Sequence, residues 1–346
     1  MAKPRILSVA GTRPQLIKQA ALFRAFSEKT DFHMSYTFQH YDPALSQGIA
    51  SGLNLPLPAF QPLPAHLEGD YRLAAMIDRI SAEIRAIQPS LVLVMGDTDS
   101  TLAGAIAASR NSIPIAHIEA GERSGNLSMP EEWNRILTDQ LSSLLFCASE
   151  KAAERMKNEY PRKKTVFTGD IMKDIFLQTR PVLPTLEGPY HYVTLHRLYT
   201  RENFSLLKRI LENLDQLPEP VIFSLHPSMR AAFQQHGIVI SDFPNIRFIE
   251  PVGYAENLGY MKNARTVFTD SGGMQKECYW LKTPCTTLRP ETEWPETLAG
   301  NFNRLVYENP GEIRIPQQPD QSLYNPDLYG SGNAADIILN ELPGIL

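Results

Sequence analysis

The sequence has few cysteines and no long apolar run. Its three cysteines, Cys147, Cys278 and Cys285, are too few and too scattered for a disulfide framework or a zinc site. We expect them to be buried thiols in a cytoplasmic protein. No apolar run approaches the roughly 20 residues that span a bilayer. Residues 1–10 lead straight into a predicted strand without a signal-peptide core, so we expect no membrane partner.

Basic charge is also not in excess. The chain carries 33 Lys and Arg against 38 Asp and Glu, a net charge of -5 with the signs mixed. Nucleic-acid binding proteins usually show a basic surface, so we expect no nucleic-acid partner. The sequence also lacks a Walker loop, a Gly-x-Ser-x-Gly elbow and a Gly-x-Gly-x-x-Gly fingerprint, which leaves ATP, acyl-transfer and NAD chemistry without support.

What the chain does have is a regular alternation of strands and helices. Its 346 residues with 43% hydrophobic content are typical of a soluble globular protein, and the length predicts two domains. The strands are continuously apolar, which indicates parallel sheets covered on both faces. We therefore predict an α/β fold of two Rossmann-like doubly wound domains facing a cleft, with the carboxyl ends of the strands lining it.

The pattern restarts after a proline-rich connection at 180–189, which predicts domains at 1–170 and 171–330. The predicted strands are 6–10, 35–38, 91–95, 115–118, 144–148, 192–195, 221–225, 246–248, 266–269 and 285–288. The predicted helices are 14–26, 70–87, 101–109, 131–141, 204–214, 229–235, 255–262, 274–281 and 333–342. Residues 310–327 are polar and rich in proline, and we expect a surface loop there.

The stretch 266–296 carries the clearest functional signal. The strand 266–269 is followed by a predicted tight turn over Asp270, Ser271, Gly272 and Gly273, and then by a helix. A glycine-rich turn before a helix presents backbone N–H groups to an anion, and glycine allows backbone angles and close approaches that other residues resist. An ordinary strand-to-helix turn is the alternative. Ionisable side chains that follow favour a nucleotide-diphosphate site: Glu277, Arg289, Glu291, Glu293 and Glu296.

Ionisable side chains also follow several strands of the first half. Arg13 and Lys18 lie at and just inside the first helix, where two cations can neutralise a diphosphate or a sugar carboxylate, or else remain solvated. After the strand 91–95 we expect Asp99 to cap the next helix, which leaves Asp97 as the functional candidate. Glu119 closes the next apolar strand. A glutamate is unusual at that position, because a solvated loop residue would suffice there.

In the second half, two histidines end predicted strands. His196 follows the strand 192–195 and His226 follows 221–225. A single histidine is more often structural, but we expect His196 to lie opposite Asp97, Glu119 and Glu131. Carboxylates, a histidine, cations and a phosphate site together suit proton transfer to a sugar that bears a diphosphate.

These motifs resemble the non-hydrolysing UDP-N-acetylglucosamine 2-epimerase family along nearly the whole chain. The matching stretches are 11–14 with 17–18, 39–42, 96–98, 117–121, 130–132 with 134, 135 and 139, 168–170, 196–197 with 202–203, 270–273 with 275 and 277, 289 with 291–293, and 329–330. The resemblance implies a GT-B-like fold whose last segment, 331–346, packs back on the N-terminal domain. It implies no metal or nicotinamide cofactor, and a homodimer.

The implied activity is inversion at C2 of UDP-N-acetylglucosamine to UDP-N-acetylmannosamine, for cell-surface polysaccharide synthesis. In that family UDP is eliminated to leave a 2-acetamidoglucal and is then added back. The implied acid/base residues are Asp97, Glu119, Glu131 and His196. The implied substrate-binding residues are Arg13, Lys18, Arg135, His226, Ser271, Gly272, Gly273, Glu277, Arg289 and Glu293.

Some positions depart from the common pattern of the family. Gln15, the segment 39–42, Lys276 and the segment 293–297 look more like the branch that acts on UDP-2,3-diacetamido-2,3-dideoxyglucuronate, so both substrates stay open. The segment 39–42 lacks a glutamine that members regulated by bound substrate carry, and Arg13-Pro14 argues against hydrolysis. Two alternatives belong to other functional classes: a UDP-sugar-binding protein without activity, and a GT-B transferase.

Overall fold

The chain forms two compact units, each built on one parallel sheet. The computed structural model describes residues 3–38, 55, 63–64, 67, 69–307 and 313–342, without the side chain of Arg13. The first unit is Met1–Gln178 together with Pro326–Leu346, and the second is Thr179–Asn325. Both are Rossmann-like, so the predicted pair of doubly wound α/β domains is confirmed.

The first unit has a six-stranded sheet in the order β2-β1-β3-β4-β5-β6, and all its strand pairs are parallel. Its strands are β1 Arg5–Ala10, β2 Asp31–Tyr36, β3 Leu91–Met95, β4 Ile115–Ile118, β5 Leu144–Cys147 and β6 Lys164–Phe167. Its helices are α1 Arg13–Phe26, α2 Gly69–Ile87, α3 Asp99–Arg110, α4 Pro130–Leu141, α5 Glu150–Glu159 and α6 Ile171–Gln178.

The second unit has a parallel sheet in the order β12-β11-β10-β7-β8-β9. Its strands are β7 His191–Thr194, β8 Val221–Ser224, β9 Ile246–Ile249, β10 Thr266–Thr269, β11 Cys285–Thr287 and β12 Asn303–Leu305. Its helices are α7 Leu198–Glu202, α8 Phe204–Asp215, α9 Pro227–His236, α10 Tyr254–Asn263 and α11 Gly272–Leu281. Short 3-10 turns lie at Ile240–Asp242, Pro295–Asn301 and Gln321–Leu323.

Apolar strands explain why both sheets are buried. Every residue of β3, β4, β5, β8 and β10 is buried, as expected for parallel sheets with helices on both faces. The small residues of α3 allow that helix to lie close to β3, with Ala103, Ala105 and Ala107 fully buried. All three cysteines are buried free thiols, as predicted. Among the described residues, no helix combines the length and the apolar character needed to cross a bilayer.

Edge strands are where the sequence-based assignment was weakest. The second strand was predicted at 35–38 but runs from Asp31 to Tyr36, and its burial rises along its length from exposed to buried. Phe38 has φ +54°, which is incompatible with a strand. The edge strands β6 and β12 were not predicted, because a half-exposed edge strand needs no continuous apolar run.

The last helix, α12 Ala334–Asn340, packs against α1 and α6. Asp174 of α6 accepts hydrogen bonds from the backbone N–H groups of Ala334 (3.0 Å) and Ala335 (2.8 Å), which caps the helix. These contacts place α6 and the segment from Pro326 onward with the first unit. The predicted limit 170/171 lies before α6, which was not predicted, and the predicted limit 330/331 lies a few residues after Pro326.

The returning segment crosses the chain where two glycines meet. A Cβ on Gly169 would lie 2.8 Å from the Cα of Gly330 and 2.8 Å from the carbonyl oxygen of Tyr329. Gly169 and Gly330 both have φ +79°. Only glycine fits here, because the backbones touch and both residues adopt left-handed angles.

We expect Gly169→Ala to destabilise the first unit by about 3 kcal/mol or more, which combines left-handed strain with overpacking. Gly125→Ala is the matched control, since Gly125 has φ +77° but open space around its Cβ position, and it should cost only about 1–2 kcal/mol. Thermal unfolding followed by circular dichroism measures both. Equal losses in the two variants would contradict a tight crossing.

Candidate active site

The strand order of each sheet reverses at one position, and polar residues collect there. In the first unit the reversal lies between β1 and β3, and in the second between β7 and β10. Ligands of open α/β sheets bind outside the carboxyl ends of the strands at such reversals. The turns after β1 and β3 begin with Gly11 and Gly96, and those after β7 and β10 lead to His196 and Asp270.

The structure brings Lys18 and Glu119 together. Lys18, in the second turn of α1, donates a hydrogen bond to Glu119 Oε2, and both side chains are about nine-tenths buried. Glu119 has φ +66°, an unusual value outside glycine that costs of order 1–3 kcal/mol and clusters at functional sites. The turn after β4 thus aims the carboxylate at the cation on the neighbouring helix.

Asp97 is held by Arg135 of α4. Arg135 Nη2 bonds to Asp97 Oδ2, and Nη1 donates to Glu132 Oε2 at 2.8 Å. Glu132 is buried, whereas the Asp97 side chain is 29% exposed. Asp97 is therefore the more accessible of the two carboxylates that share this guanidinium.

Glu132 is a site residue that the sequence analysis missed. It also accepts hydrogen bonds from the N–H groups of Ser124 (2.9 Å) and Gly125 (3.1 Å). Burial alone would raise the pKa of Glu132, but these bonds and the one from Arg135 hold its pKa below the ordinary value. The predicted Glu131 lies beside it in the first turn of α4 and is half-buried. Nothing in the sequence distinguishes Glu131 from Glu132, because only the orientation of α4 decides which carboxylate meets Arg135.

Two amide side chains fix the turns that carry these carboxylates. Gln15 Oε1 accepts from the N–H groups of Gly11 (2.8 Å) and Thr12 (3.1 Å), and its Nε2 donates to the carbonyl oxygen of Met95 (2.7 Å). Asn134 Nδ2 donates to the carbonyl oxygen of Asp97 at 3.0 Å. A glutamate at position 15 has no hydrogen to donate to Met95 unless it is protonated. The amide therefore ties the turn after β1 to the turn after β3.

The predicted cap of α3 was wrong. Thr98 is the N-cap residue, and its hydroxyl accepts from the N–H of Thr101 at 3.3 Å. Asp99 is instead the first residue of the helix, and its Oδ1 accepts from Asn134 Nδ2 at 3.0 Å. A hydroxyl cap leaves the carboxylate of Asp99 to bind the neighbouring helix.

In the second unit, Asp270 orients His196. Asp270 is fully buried and accepts hydrogen bonds from the N–H groups of His196 (3.0 Å) and Arg197 (2.9 Å). Its Oδ1 lies 3.1 Å from His196 Nδ1. A carboxylate on Nδ1 fixes the ring and its tautomer, so the 39% exposed imidazole directs Nε2 away from Asp270. Asp270 belongs to the predicted motif 270–273, but its sequence position alone indicated no role for it.

His226 lies beside His196. It is the N-cap residue of α9, where its Nδ1 accepts from the N–H of Ser228 at 3.3 Å. The centroids of the two imidazole rings are 6.0 Å apart. The two histidines predicted at the ends of β7 and β8 are therefore brought together.

The glycines after β10 have a different backbone conformation from the one predicted. Helix α11 begins at Gly272, with Ser271 as its N-cap, so the predicted tight turn over 270–273 is wrong. Neither Gly272 nor Gly273 has a left-handed φ, and a Cβ on Gly273 would meet no atom within 4 Å. Gly273 leaves open space at the helix N-terminus, and a helix N-terminus is the setting that anions prefer.

Arg289 and Glu293 lie at this helix N-terminus. Both are buried, and they form a two-bond ion pair with distances of 2.9 Å (Nη1–Oε2) and 2.8 Å (Nη2–Oε1). Arg289 Nη1 is 3.8 Å from the position of a Cβ on Gly272. Glu277 is buried in the second turn of the same helix. The structure thus brings the predicted group 271–273, 277, 289 and 293 to one end of α11.

Some predicted features lie outside the described residues. The side chain of Arg13 is one, although its backbone begins α1, and the motif 39–42 is another. Within the described ranges, no three His, Cys, Asp or Glu side chains are grouped to hold a metal ion.

Each unit therefore has a distinct chemical capacity. The first presents Asp97 and Glu119 at adjacent strand ends, each paired with a cationic side chain. Two such carboxylates can take and return protons. The second presents a helix N-terminus and an oriented histidine, which suit an anionic group.

Comparisons with known proteins agree with this arrangement. A family model described as UDP-N-acetylglucosamine 2-epimerase matches residues 24–343. The chain is 39% identical to the UDP-2,3-diacetamido-2,3-dideoxy-D-glucuronate 2-epimerase of Pseudomonas aeruginosa, over 98% of this chain and 99% of that protein.

Solved structures give the same result. The Methanocaldococcus jannaschii UDP-GlcNAc 2-epimerase in complex with UDP-GlcNAc and UDP has a TM-score of 0.86, with 33% identity over 99% of both chains. The Neisseria meningitidis UDP-GlcNAc 2-epimerase bound to UDP-GlcNAc has a TM-score of 0.82, with 26% identity over 98% of this chain and 99% of that one. The predicted GT-B-like fold class is confirmed.

Replacing Asp270 tests its ion pair through the pH dependence of stability. Burial alone would raise the pKa of Asp270, but the charge of His196 and the bonds from the 196 and 197 N–H groups hold its pKa below the ordinary 3.8. A depressed folded-state pKa stabilises the protein above pH 3.8, and this stabilisation is lost as the pH falls through the lower folded-state value.

We expect Asp270→Asn to lose roughly 1–3 kcal/mol at neutral pH, and the difference from wild type to shrink below a pH of about 3.8. Urea unfolding at a series of pH values measures this. A difference that stays constant over the whole range would contradict an ionised Asp270.

Proposed function

The chain belongs to the UDP-N-acetylglucosamine 2-epimerase family, isomerases that act on nucleotide sugars, and we propose that it inverts C2 of a UDP-2-acetamido sugar without hydrolysing it. The observation that carries the proposal is the pair of carboxylates at adjacent strand ends, Asp97 and Glu119, each beside a cation.

The proposed reaction is an elimination followed by an addition. The C2 proton neighbours no carbonyl carbon and is too weakly acidic for simple removal. A base therefore takes it while the C1–O bond breaks, and UDP leaves with the electron pair of that bond. The 2-acetamidoglucal that remains has a C1–C2 double bond. UDP then adds at C1 while a proton is delivered to the opposite face of C2, so atoms and charge balance.

In the first unit, Asp97, Glu119 and Glu131 are proposed to move protons. Glu119 and Asp97 are supported by their positions at adjacent strand ends and by their pairing with Lys18 and Arg135. Lys18 is proposed, with Arg13, to offset charge on the departing diphosphate. Arg135 is proposed to bind substrate as well as to hold Asp97.

In the second unit, the N-terminus of α11 is proposed to bind the diphosphate through the N–H groups of Gly272 and Gly273, beside the N-cap residue Ser271. Arg289 with Glu293 is proposed to face the phosphates or the sugar, and Glu277 the ribose hydroxyls. His196 is proposed as a fourth acid/base group, supported by the carboxylate on its Nδ1. His226 is proposed to contact the same substrate.

The primary proposed substrate is UDP-N-acetylglucosamine, with UDP-N-acetylmannosamine as product, in a cytoplasmic route to cell-surface polysaccharide. A second substrate, UDP-2,3-diacetamido-2,3-dideoxyglucuronate, is favoured by the 39% identity to the Pseudomonas aeruginosa enzyme. Lys276 and Trp294, which set this chain apart from the common pattern, are both buried beside the anion site, with Lys276 Nζ 3.4 Å from the Trp294 ring centroid.

Proton NMR in D₂O with each UDP-sugar tests the proposal. We expect a UDP-linked manno product with deuterium at C2 from one of the two. Free sugar with UDP would indicate hydrolysis. Binding of UDP without exchange on either sugar would favour a binding protein or a transferase.

Single replacements test the proposed acid/base groups. We expect Asp97→Asn and Glu131→Gln each to lower turnover by about 10²-fold or more, the usual contribution of one acid/base group. Glu28→Gln is the control, because Glu28 is exposed and lies in the turn between the end of α1 at Phe26 and the start of β2 at Asp31. Wild-type turnover in either test variant would remove that residue from the mechanism.

We also propose a homodimer that forms through α4. Trp133, Leu137 and Leu141 recur every four residues on this helix, and their exposures are 48%, 42% and 37%. Large apolar side chains in one exposed row are typical of an interface.

We expect Leu137→Glu to shift sedimentation from dimer to monomer, because a charge in an apolar interface is left without a partner. Tyr71→Glu adds the same charge at an isolated position of α2 that is 78% exposed, and should leave the dimer intact. A dimer that survives Leu137→Glu would contradict this interface.

A further inference from the structure

A buried cluster of charges lies behind the two turns that carry Asp97 and Glu119. It consists of His117 on β4, Asp139 on α4 and Arg123, and the side chains of His117 and Asp139 are completely buried. None of the three has a place in the proposed chemistry. Burying charge is costly unless each group has partners, so the arrangement calls for an explanation.

The two ring nitrogens of His117 face oxygen atoms. Nε2 lies 2.9 Å from the carbonyl oxygen of Gly96, and Nδ1 lies 2.7 Å from Asp139 Oδ1. A carbonyl oxygen only accepts, so Nε2 must carry a hydrogen. An ionised carboxylate also only accepts, so Nδ1 must carry one as well.

Asp139 is ionised because of its neighbours. Burial alone would raise the pKa of Asp139, but the charge and hydrogen bond of His117, together with Arg123, hold its pKa below the ordinary value. Arg123 Nη1 is 2.7 Å from Asp139 Oδ2. With Asp139 paired to Arg123, the oxygen atoms on both sides of His117 call for a hydrogen on each ring nitrogen.

Each end of this cluster forms a hydrogen bond to one of the two turns. The carbonyl oxygen that His117 binds belongs to Gly96, directly before Asp97 and in a left-handed conformation (φ +70°). Asp139 Oδ2 accepts from the N–H of Gly121 at 3.2 Å, two residues after Glu119. The link from Gly96 through His117 and Asp139 to Gly121 thus spans both turns.

Further contacts, in addition to this link, restrict the turn after β4. Gly121 has φ +80°, and a Cβ there would lie 2.6 Å from Met156 Cγ and 2.9 Å from the carbonyl oxygen of Ala152. Arg155 Nη1 donates to the carbonyl oxygen of Gly121 at 2.6 Å. Asp139 of α4 therefore holds this restricted turn by the N–H of Gly121.

We propose that His117 is a doubly protonated positioning residue that, with Asp139, holds the carboxylates of Asp97 and Glu119 in one fixed relation. The effect of His117 on turnover rests on the proposed function, whereas the protonation of its ring does not depend on that function. A neutral histidine has one ring hydrogen for two acceptors, so one of the two turns would lose its bond. A shift of about 1 Å in an acid/base group is enough to cost roughly 10²-fold in rate.

Asp139→Asn tests the proposal with little change in size. The amide can still accept one hydrogen bond, but it removes the negative charge that keeps the second proton on His117. We expect turnover to fall at least about tenfold, while the Michaelis constant and the dissociation constant for UDP change less than about threefold. Asp174→Asn is the matched control, because Asp174 is buried in the same unit but caps α12. It should change thermal stability and leave turnover unaltered.

Nitrogen-15 NMR of the histidine rings gives a readout that does not depend on activity. The His117 resonance is assigned by its absence in His117→Asn. We expect both ring nitrogens to have protonated shifts in wild type at neutral pH, and one of them to lose its proton in Asp139→Asn, with shifts of the Asp97 and Glu119 amides. One protonated nitrogen in wild type, or unchanged turnover in folded Asp139→Asn, would overturn the proposal.

The two proposals fail in different ways. A wild-type protein without epimerase activity would refute the proposed function. The ring nitrogens and the Asp97 and Glu119 amide shifts would then still decide whether His117 is a cation that holds both turns.

Discussion

Ion pairs between buried or half-buried side chains hold the carboxyl ends of both sheets in place. Polar groups collect at these edges because parallel strands end there together, and the surrounding helices leave little water. A charge in such a place is stable only with a close partner and further hydrogen bonds. Lys18 with Glu119, Arg135 between Asp97 and Glu132, and His196 on Asp270 all meet this requirement.

The same pairing prepares these groups for chemistry. A cation beside a carboxylate favours its ionised form, and a carboxylate on Nδ1 of a histidine fixes the free nitrogen. Donors and charges that are held before a substrate arrives need no reorganisation during the reaction. Asp97 and His196 are the more exposed members of their pairs. In each pair the buried partner therefore fixes the position of the exposed side chain, and the exposed side chain is accessible to a substrate.

Much of the site was predictable because residue types at strand ends carry a signal. Asp97, Glu119 and His196 follow apolar strands, and the structure places each within two residues of the end of such a strand. Their partners were harder to find. Glu132 and Glu131 are adjacent in sequence, and only the rotation of α4 decides which of them meets Arg135. Asp139 and His117 are 22 residues apart, and no local pattern connects them.

By itself the sequence determined the two α/β units, the positions of most central strands and the polar groups at their ends, because apolar strands and helical periodicity are local properties. Tertiary structure alone decided which charges are neighbours. It also decided that Gly272 and Gly273 begin a helix and do not form a left-handed turn. Edge strands such as β2 and the return of α12 to the first unit depend on packing between distant segments, and no local pattern records that packing.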